Sequence, residues 1–208
     1  MRRAGWVAGA AAAVLLAAGA LTYAVAGDAG DGGSARIPAA GSADAGFARD
    51  MAVHHQQAVE MSYLVRDRTR DEEVRRLAYD IAQTQANQRG MLLGWLDLWG
   101  LPKVSSDPPM TWMGMRADPD PGSGALMPGM ATDAEMGRLA SLEGKAAEVL
   151  YLRLMTDHHR GGVHMAEGCA ARCTVAAEKR LAQGMVDGQR AELGLMAELL
   201  AERGAEPR

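Results

Sequence analysis

The chain contains two copies of one sequence pattern, and any fold must accommodate both. Residues 47–61 read FARDMAVHHQQAVEM and residues 151–165 read YLRLMTDHHRGGVHM, an offset of 104 positions. In each copy a methionine lies three residues before the first histidine of an adjacent pair, and another lies seven residues after it. Four of the five histidines of the chain form these two pairs. The repeat indicates an internal duplication.

Both copies have the apolar spacing of an α-helix. Their apolar positions recur at alternating intervals of four and three residues, which places them along one face of a helix. We therefore predict that His54 and His158 lie on the buried face, with His55 and His159 beside it. The two predicted faces are Phe47, Met51, His54, Ala58, Met61 and Val65, and Tyr151, Met155, His158, Gly162, Met165 and Cys169.

A second amphipathic helix follows in each half, so the repeated unit is a helical hairpin. The first of these helices is predicted to start at the capping-box pattern Thr69-x-x-Glu72 and to end at Gly100. Its counterpart is predicted from about residue 174 to residue 203. Polar positions that coincide under the shift are Gln85 with Gln189 and Gln88 with Glu192.

The two halves are separated by residues 101–131, which contain six prolines, four glycines and five methionines. This composition predicts a crossover loop without regular structure. Thr132-x-x-Glu135 is a second capping-box pattern, and we predict that it opens one long third helix, from about residue 133 to residue 167. Gly168 is predicted to stop that helix.

These patterns predict an all-α fold in which two duplicated hairpins form a four-helix bundle over residues 42–205. Hairpin turns near residues 68 and 172 would place Met51 level with Gln85 and Met155 level with Gln189. If a pseudo-two-fold axis relates the halves, both histidine pairs and their methionines can converge in the centre of the bundle.

The N-terminal segment is typical of an exported protein. Arg2 and Arg3 precede an uncharged apolar run, residues 4–27, which ends in a small-residue cleavage pattern. The run is also about long enough to span a bilayer, so a cleaved signal peptide and an uncleaved membrane anchor are both open. Either places the rest of the chain outside the cytoplasm, secreted or anchored, with membrane contact only through this segment. Residues 28–41 are predicted to form a flexible linker.

Charge and cysteine content narrow the classes of partner. The net charge of −4 gives no reason to expect nucleic acid binding.

Cys169 and Cys173 are four residues apart, so we expect a disulfide only at a helix end or in a loop. Two free thiols, or two thiolate metal ligands, are the alternatives. The sequence does not decide between a monomer and a homodimer.

The histidine–methionine pattern favours a transition metal. Imidazole suits several such metals, and the thioether sulfur of methionine favours Cu(I). Zinc sites draw on Cys, His and carboxylates, and calcium and magnesium prefer oxygen ligands. We therefore predict copper as the bound ion, as Cu(I) or Cu(II), with Ag(I) as a mimic. The predicted ligands are Met51, His54, His55, Met61, Met155, His158, His159 and Met165.

Other residues were assigned supporting or alternative roles. Gln85 and Gln189 are predicted to hydrogen-bond a histidine or each other, and Asp50 is a candidate for orienting a histidine. Under the alternative hypothesis, the histidines bond within the core and the methionines simply fill it. The protein would then be a structural or interaction module of the cell envelope. A di-iron enzyme is disfavoured because Met51 and Met155 stand where a Glu-x-x-His motif needs glutamate.

The segments DMAVHHQQAVEM (50–61) and LMTDHHRGGVHMA (154–166), with MPGM (127–130) ahead of the second, resemble a known family. It is the secreted domain-of-unknown-function family that includes the copper-binding protein CopM, and the resemblance covers about residues 47–200. It implies a ferritin-like four-helix bundle, export, and copper binding in some members. The eight ligands predicted above match the family's histidine and methionine positions. Gly162 departs from the pattern, since the family usually has alanine there.

Overall fold

The computed structural model of the chain describes residues 37–115 and 123–208, and residues 38–208 form one compact unit. The predicted signal or anchor segment and most of the predicted linker lie outside the described residues. None of the described helices is long and apolar enough to cross a membrane.

The described residues form an all-α bundle without strands. Two helical hairpins build it, and a short extra helix precedes the second hairpin. The elements are α1 (Ala43–Arg68), α2 (Glu72–Leu98), a 3-10 turn (Thr111–Met113), α3 (Asp133–Ser141), α4 (Gly144–Arg172) and α5 (Ala176–Glu202).

The central pair of helices, α1 and α4, runs antiparallel. Near the start of α1, Asp44 accepts hydrogen bonds from the backbone N–H groups of Thr174 and Val175, both at 2.7 Å, just beyond the end of α4. At the opposite end, Thr69 donates to Glu148 Oε1 at 2.5 Å. Helix α2 packs against α1, and α5 packs against α4. The two hairpin turns therefore lie at opposite ends of the bundle.

The predicted buried faces of α1 and α4 are confirmed, since all twelve positions are fully or almost fully buried. The flanking histidines His55 and His159 are buried as well. Burial is less uniform along the side of α2 that faces the bundle, because Gln88 and Trp95 are only half-buried there. Burial of apolar area on α1 and α4 supplies most of the driving force for this central pair.

The predicted third helix is wrong in its bounds. It is split into α3 and α4 by an extended residue, Leu142, and Gly144 has a φ of +55°, which a continuous helix does not accommodate. Gly168 does not stop α4, which continues to Arg172. Its missing side chain instead leaves room for Met113, whose Cε would lie 2.6 Å from an added Cβ.

One of the two predicted capping boxes is present. Thr132 and Glu135 cap α3 reciprocally, as expected. Helix α2 is instead capped by Asp71, whose Oδ1 accepts hydrogen bonds from the N–H groups of Glu73 and Val74. Thr69 does not cap α2, because its hydroxyl donates a hydrogen bond to Glu148 across the bundle.

Cys169 and Cys173 form a disulfide, with their Cα atoms 4.8 Å apart. Cys173 is the C-terminal cap of α4 and has an extended backbone conformation. Of the three possibilities that the sequence leaves open for this pair, the structure has the disulfide, at a helix end as its spacing requires.

Candidate metal centre

The centre of the bundle is a pair of stacked imidazoles from α1 and α4. The ring centroids of His54 and His158 are 3.7 Å apart, with an angle of 31° between the planes. Nε2 of His158 donates to the backbone oxygen of His54 at 2.9 Å, and Nε2 of His54 donates to the oxygen of Pro128 at 3.2 Å. Both side chains are fully buried.

The second histidine of each pair turns toward the outer helix of its own hairpin. Nε2 of His55 lies 2.9 Å from Oε1 of Gln88 on α2, and Nε2 of His159 lies 2.6 Å from Oε2 of Glu192 on α5. Gln88 and Glu192 are equivalent under the 104-residue shift. We call each histidine pair with its outer partner a half-site. The two half-sites share one geometry, but the outer partner is neutral in the first (Gln88) and a carboxylate in the second (Glu192).

All four imidazoles present the same nitrogen without a partner. Each Nε2 faces an oxygen acceptor, so each Nε2 carries the hydrogen and each Nδ1 carries a lone pair. The four Nδ1 atoms, of His54, His55, His158 and His159, are buried and receive no hydrogen bond. A buried polar atom without a partner is unfavourable, and such atoms are uncommon in native proteins. Four equivalent lone pairs of this kind fit a metal.

Burial also lowers the pKa values of His54, His55 and His158, which favours the neutral form that a metal ligand needs. Desolvation lowers the pKa of His54 to about 4 and that of His55 to about 3. Desolvation, with the neighbouring histidines, lowers the pKa of His158 well below its ordinary value. Protons therefore compete little with a metal for the rings of His54, His55 and His158 at neutral pH.

The four predicted methionine ligands are buried, and they lie in two separate clusters. Met51 belongs to the same apolar cluster as Met165, whereas Met61 belongs to the same cluster as Met155. Each cluster therefore contains one methionine from each copy of the repeated pattern. Because α1 and α4 are antiparallel, the end of the bundle that carries the turn of one hairpin carries the free helix ends of the other hairpin. The four thioethers do not converge on one point.

The residues expected to bond the histidines differ from those that do. Both polar atoms of the Gln85 side chain are buried without a hydrogen bond, and so is Oε1 of Gln189. The turns lie at residues 69–71 and 173–175, beyond the predicted positions. The two helices of each hairpin are therefore offset by about one helical turn from the alignment that was predicted for them. That shift brings Gln88 and Glu192 level with the histidines.

Asp50 does not orient a histidine. Its Oδ2 accepts hydrogen bonds from the backbone N–H of Met110 at 2.7 Å and from Nε1 of Trp112 at 2.9 Å. Asp50 therefore ties the first part of the crossover segment to α1. Three crossover methionines, Met110, Met113 and Met127, are buried in the cluster of Met51 and Met165.

A short part of the crossover covers the histidines. We call residues 127–131 the cover segment. Gln57 holds it by two hydrogen bonds to the backbone of Ala131, of 2.8 and 2.7 Å. The segment lies so close to α4 that a Cβ on Gly161 would be 1.9 Å from the oxygen of Pro128. A Cβ on Gly162 would instead meet a side-chain atom, Oε1 of Gln189, at 2.4 Å.

The fifth histidine stands apart from this centre. His164 is exposed, and its Nε2 lies 3.4 Å from Sδ of Met115. Within the described residues it makes no hydrogen bond or ring contact with the paired histidines.

The histidine nitrogens alone do not complete the coordination shell of a metal ion. In residues 37–115 and 123–208, one group of three ligand atoms from His, Cys, Asp or Glu lies within 4.8 Å, and it is Cys169, Cys173 and Glu178. No three ligand atoms of this kind meet at the histidine pairs. An ion held there in this arrangement would take at most two imidazole nitrogens, and thioethers are the nearest soft donors in the adjoining clusters.

Comparison with known proteins places the chain in a family. The family model for a domain of unknown function, DUF305, matches residues 44–200. The chain belongs to this family. A DUF305 protein from Streptomyces coelicolor has 75% sequence identity and a TM-score of 0.76, with 82% of this chain and 99% of that chain covered. A search of curated proteins finds no match.

More distant DUF305 structures share the bundle. A DUF305 fragment from Deinococcus radiodurans has 31% identity and a TM-score of 0.65, with 77% of this chain and 96% of that chain covered. CopM in its Cu(I)-bound form has 19% identity and a TM-score of 0.57, with 76% and 96% covered. The likeness to CopM shows a common fold. Neither the family model nor these structures indicate an enzyme.

Proposed function

We propose that this DUF305 protein is an exported metal-binding protein that holds copper in the centre of its bundle, for buffering, transport or resistance. The observation that carries the proposal is the set of four buried Nδ1 atoms without hydrogen-bond partners. Each belongs to a ring whose Nε2 is held by an oxygen atom, as in metal-ligating histidines with an outer partner.

The soft donors around the histidines favour copper over zinc. Met51 and Met165 lie to one side of the imidazoles and Met61 and Met155 to the other, all four fully buried. Thioethers stabilise Cu(I), whereas zinc sites use Cys, His and carboxylates. We infer two ion positions, one with each methionine pair, which share the imidazoles of His54, His55, His158 and His159.

Two of the comparisons support this proposal. CopM shares the fold, and its structures include forms bound to Cu(I), Cu(II) and Ag. Export is supported by the predicted N-terminal segment, by the disulfide, and by the Streptomyces coelicolor relative, which is named as a candidate secreted protein.

Replacing both stacked histidines should abolish most copper binding. Residues 38–208 would be titrated with Cu(I) against a competing chelator, and the variant His54→Ala/His158→Ala compared with the unchanged protein. We expect the affinity to fall by about a hundredfold or more, since even the loss of an outer partner costs about 10–100-fold. The matched control is His164→Ala, which removes the exposed histidine and should leave the affinity unchanged.

Two outcomes would contradict the proposal. One is the absence of binding in competition with the chelator, and the other is equal binding by the double variant. If the double variant also loses thermal stability whether or not copper is present, the alternative of a structural envelope module with core histidines is favoured.

Glu192 is expected to tune the second half-site. The change Glu192→Gln gives His159 the same neutral partner that His55 has in Gln88. Loss of the charge-assisted hydrogen bond should weaken the affinity of one copper position by about tenfold. Competition titration measures this change, with Glu198→Gln on the exposed face of α5 as the control. Equal affinities of wild type and Glu192→Gln would remove Glu192 from the site.

A further inference from the structure

A second group of ligand-type side chains lies at the end of the bundle and begins at Cys169, ten residues after His159 on α4. The two sulfur atoms of Cys169 and Cys173 and a carboxylate oxygen of Glu178 all lie within 4.8 Å of one another. Cys169 and Cys173 end α4, and Glu178 is in the first turn of α5. All three residues are buried.

Among the described residues Glu178 has no cationic partner and accepts no hydrogen bond; burial and the adjacent carboxylate of Asp44 raise its pKa, so the group is neutral when no ion is bound. Its side chain is fully buried, yet neither carboxylate oxygen receives a hydrogen bond. The adjacent carboxylate of Asp44 is already used, since it accepts hydrogen bonds from both N–H groups and the hydroxyl of the Thr174–Val175 turn. A buried carboxyl group without a donor is unfavourable, and metal coordination is one of the ways in which proteins compensate such a group.

The disulfide itself offers a limited reason for the two cysteines. A cross-link stabilises a protein chiefly by restricting its unfolded chain, and the effect grows with the length of the loop that is closed. Cys169 and Cys173 are only four residues apart, so this disulfide closes a very short loop. The same spacing on the last turn of a helix places two thiolates on one side, where they can bind one ion.

We propose that reduction of this disulfide creates a second metal site, in which Cys169, Cys173 and Glu178 bind a thiophilic divalent ion of the zinc type. Two thiolates and one carboxylate, completed by water, suit tetrahedral zinc. The site is closed while the disulfide is intact, because neither sulfur then carries a thiolate charge. It does not depend on the copper proposal, since none of its ligands belongs to the histidine pairs.

The chemistry has two balanced steps. A dithiol reductant, such as a reduced redox protein, transfers two electrons and two protons to the disulfide; the bond between the two sulfurs breaks, and the reductant becomes a disulfide. The two cysteine thiols and the neutral Glu178 carboxyl group then release three protons to solvent as the ion binds the two thiolates and the carboxylate. Re-oxidation by a disulfide of higher potential reverses the first step and expels the ion.

Cadmium is the probe, because its thiolate complexes absorb in the ultraviolet. The full-length protein would be reduced in urea with a water-soluble phosphine, which becomes the phosphine oxide, and then refolded. Thiols would be counted and helix content checked by circular dichroism before titration with Cd²⁺. We expect a thiolate-to-cadmium band that saturates at one equivalent in the reduced protein and no band in the oxidised protein.

The variants separate this site from the histidines. Glu178→Gln should keep the band but weaken binding at least tenfold, and Cys169→Ser/Cys173→Ser should lose it. His54→Ala/His158→Ala should bind Cd²⁺ at the thiolates as the unchanged reduced protein does. The inference is overturned if the refolded, reduced protein gives no band, or if Glu178→Gln binds as tightly as the unchanged protein. Neither result would affect the copper proposal.

Discussion

Acidification from pH 7 to pH 5 is expected to lower the free energy of unfolding of the metal-stripped protein by about 3 kcal/mol. The cause is the burial of His54, His55 and His158, whose pKa values lie well below the 6.5 of an exposed histidine. Below pH 6.5 the unfolded chain takes up protons on these rings and the folded protein does not. Stability present at neutral pH is therefore lost as the pH falls.

The size of the effect follows from two opposing contributions. Each of the three histidines loses about 2 kcal/mol between pH 7 and pH 5, or about 6 kcal/mol in all. Glu178 acts in the opposite direction, because burial and the charge of Asp44 raise its pKa to about 9. Its folded form keeps a proton that the unfolded chain loses above about pH 4.5, so acidification regains about 3 kcal/mol there.

Urea unfolding at the two pH values, with a chelator present, measures this change. The variant Glu178→Gln removes the opposing contribution, so its loss on acidification should be nearly twice that of the unchanged protein. Stability that is constant or rising from pH 7 to pH 5 would show that these rings are not held neutral in the fold.

Replacing Gly161 by alanine is expected to cost about 3 kcal/mol, near the upper end for overpacking a core position. The added Cβ would lie 1.9 Å from the oxygen of Pro128 and 2.6 Å from its carbonyl carbon. These atoms are backbone and cannot rotate away, so the cover segment must move. The movement would also disturb the hydrogen bond from His54 to Pro128.

The matched control is Gly184→Ala on α5. Gly184 is an exposed position within the helix, and an added Cβ there has no neighbour within 4 Å. Alanine favours a helix over glycine by up to about 1 kcal/mol, so this variant should be slightly more stable. Thermal or urea unfolding of both variants compares the two effects. A Gly161→Ala protein as stable as the unchanged chain would show that the cover segment is not packed against α4.

The parts of the fold that could be predicted are those encoded by local periodicity. The buried faces of α1 and α4 follow directly from the spacing of Phe47, Met51 and His54 and of their counterparts. The partners of the histidines could not be derived in this way, because they depend on where each turn ends. Asp71 replaces Thr69 as the cap of α2, and a shift of one helical turn exchanges Gln85 for Gln88.

The sequence periodicity also does not predict the relative direction of the two hairpins. A repeat of 104 residues indicates that the hairpins are alike, but not that the turns lie at opposite ends. That arrangement is fixed by contacts between distant residues, such as Asp44 with Thr174 and Thr69 with Glu148. It is the reason why Met51 shares a cluster with Met165. The coincidence of Gln88 with Glu192 under the shift was the one sequence signal for the histidine partners.

The opposite placement of the turns has a consequence for the rate of metal exchange. Within the described residues, each end of the bundle carries one turn that side-chain hydrogen bonds tie to the other hairpin, and the stacked imidazoles of His54 and His158 are fully buried. The lateral approach on the side of Pro128 is covered by residues 127–131, which Gln57 holds in place. If the centre binds copper as proposed, we expect release of these few hydrogen bonds to limit uptake, so that the rate follows local opening of the chain rather than diffusion of the ion.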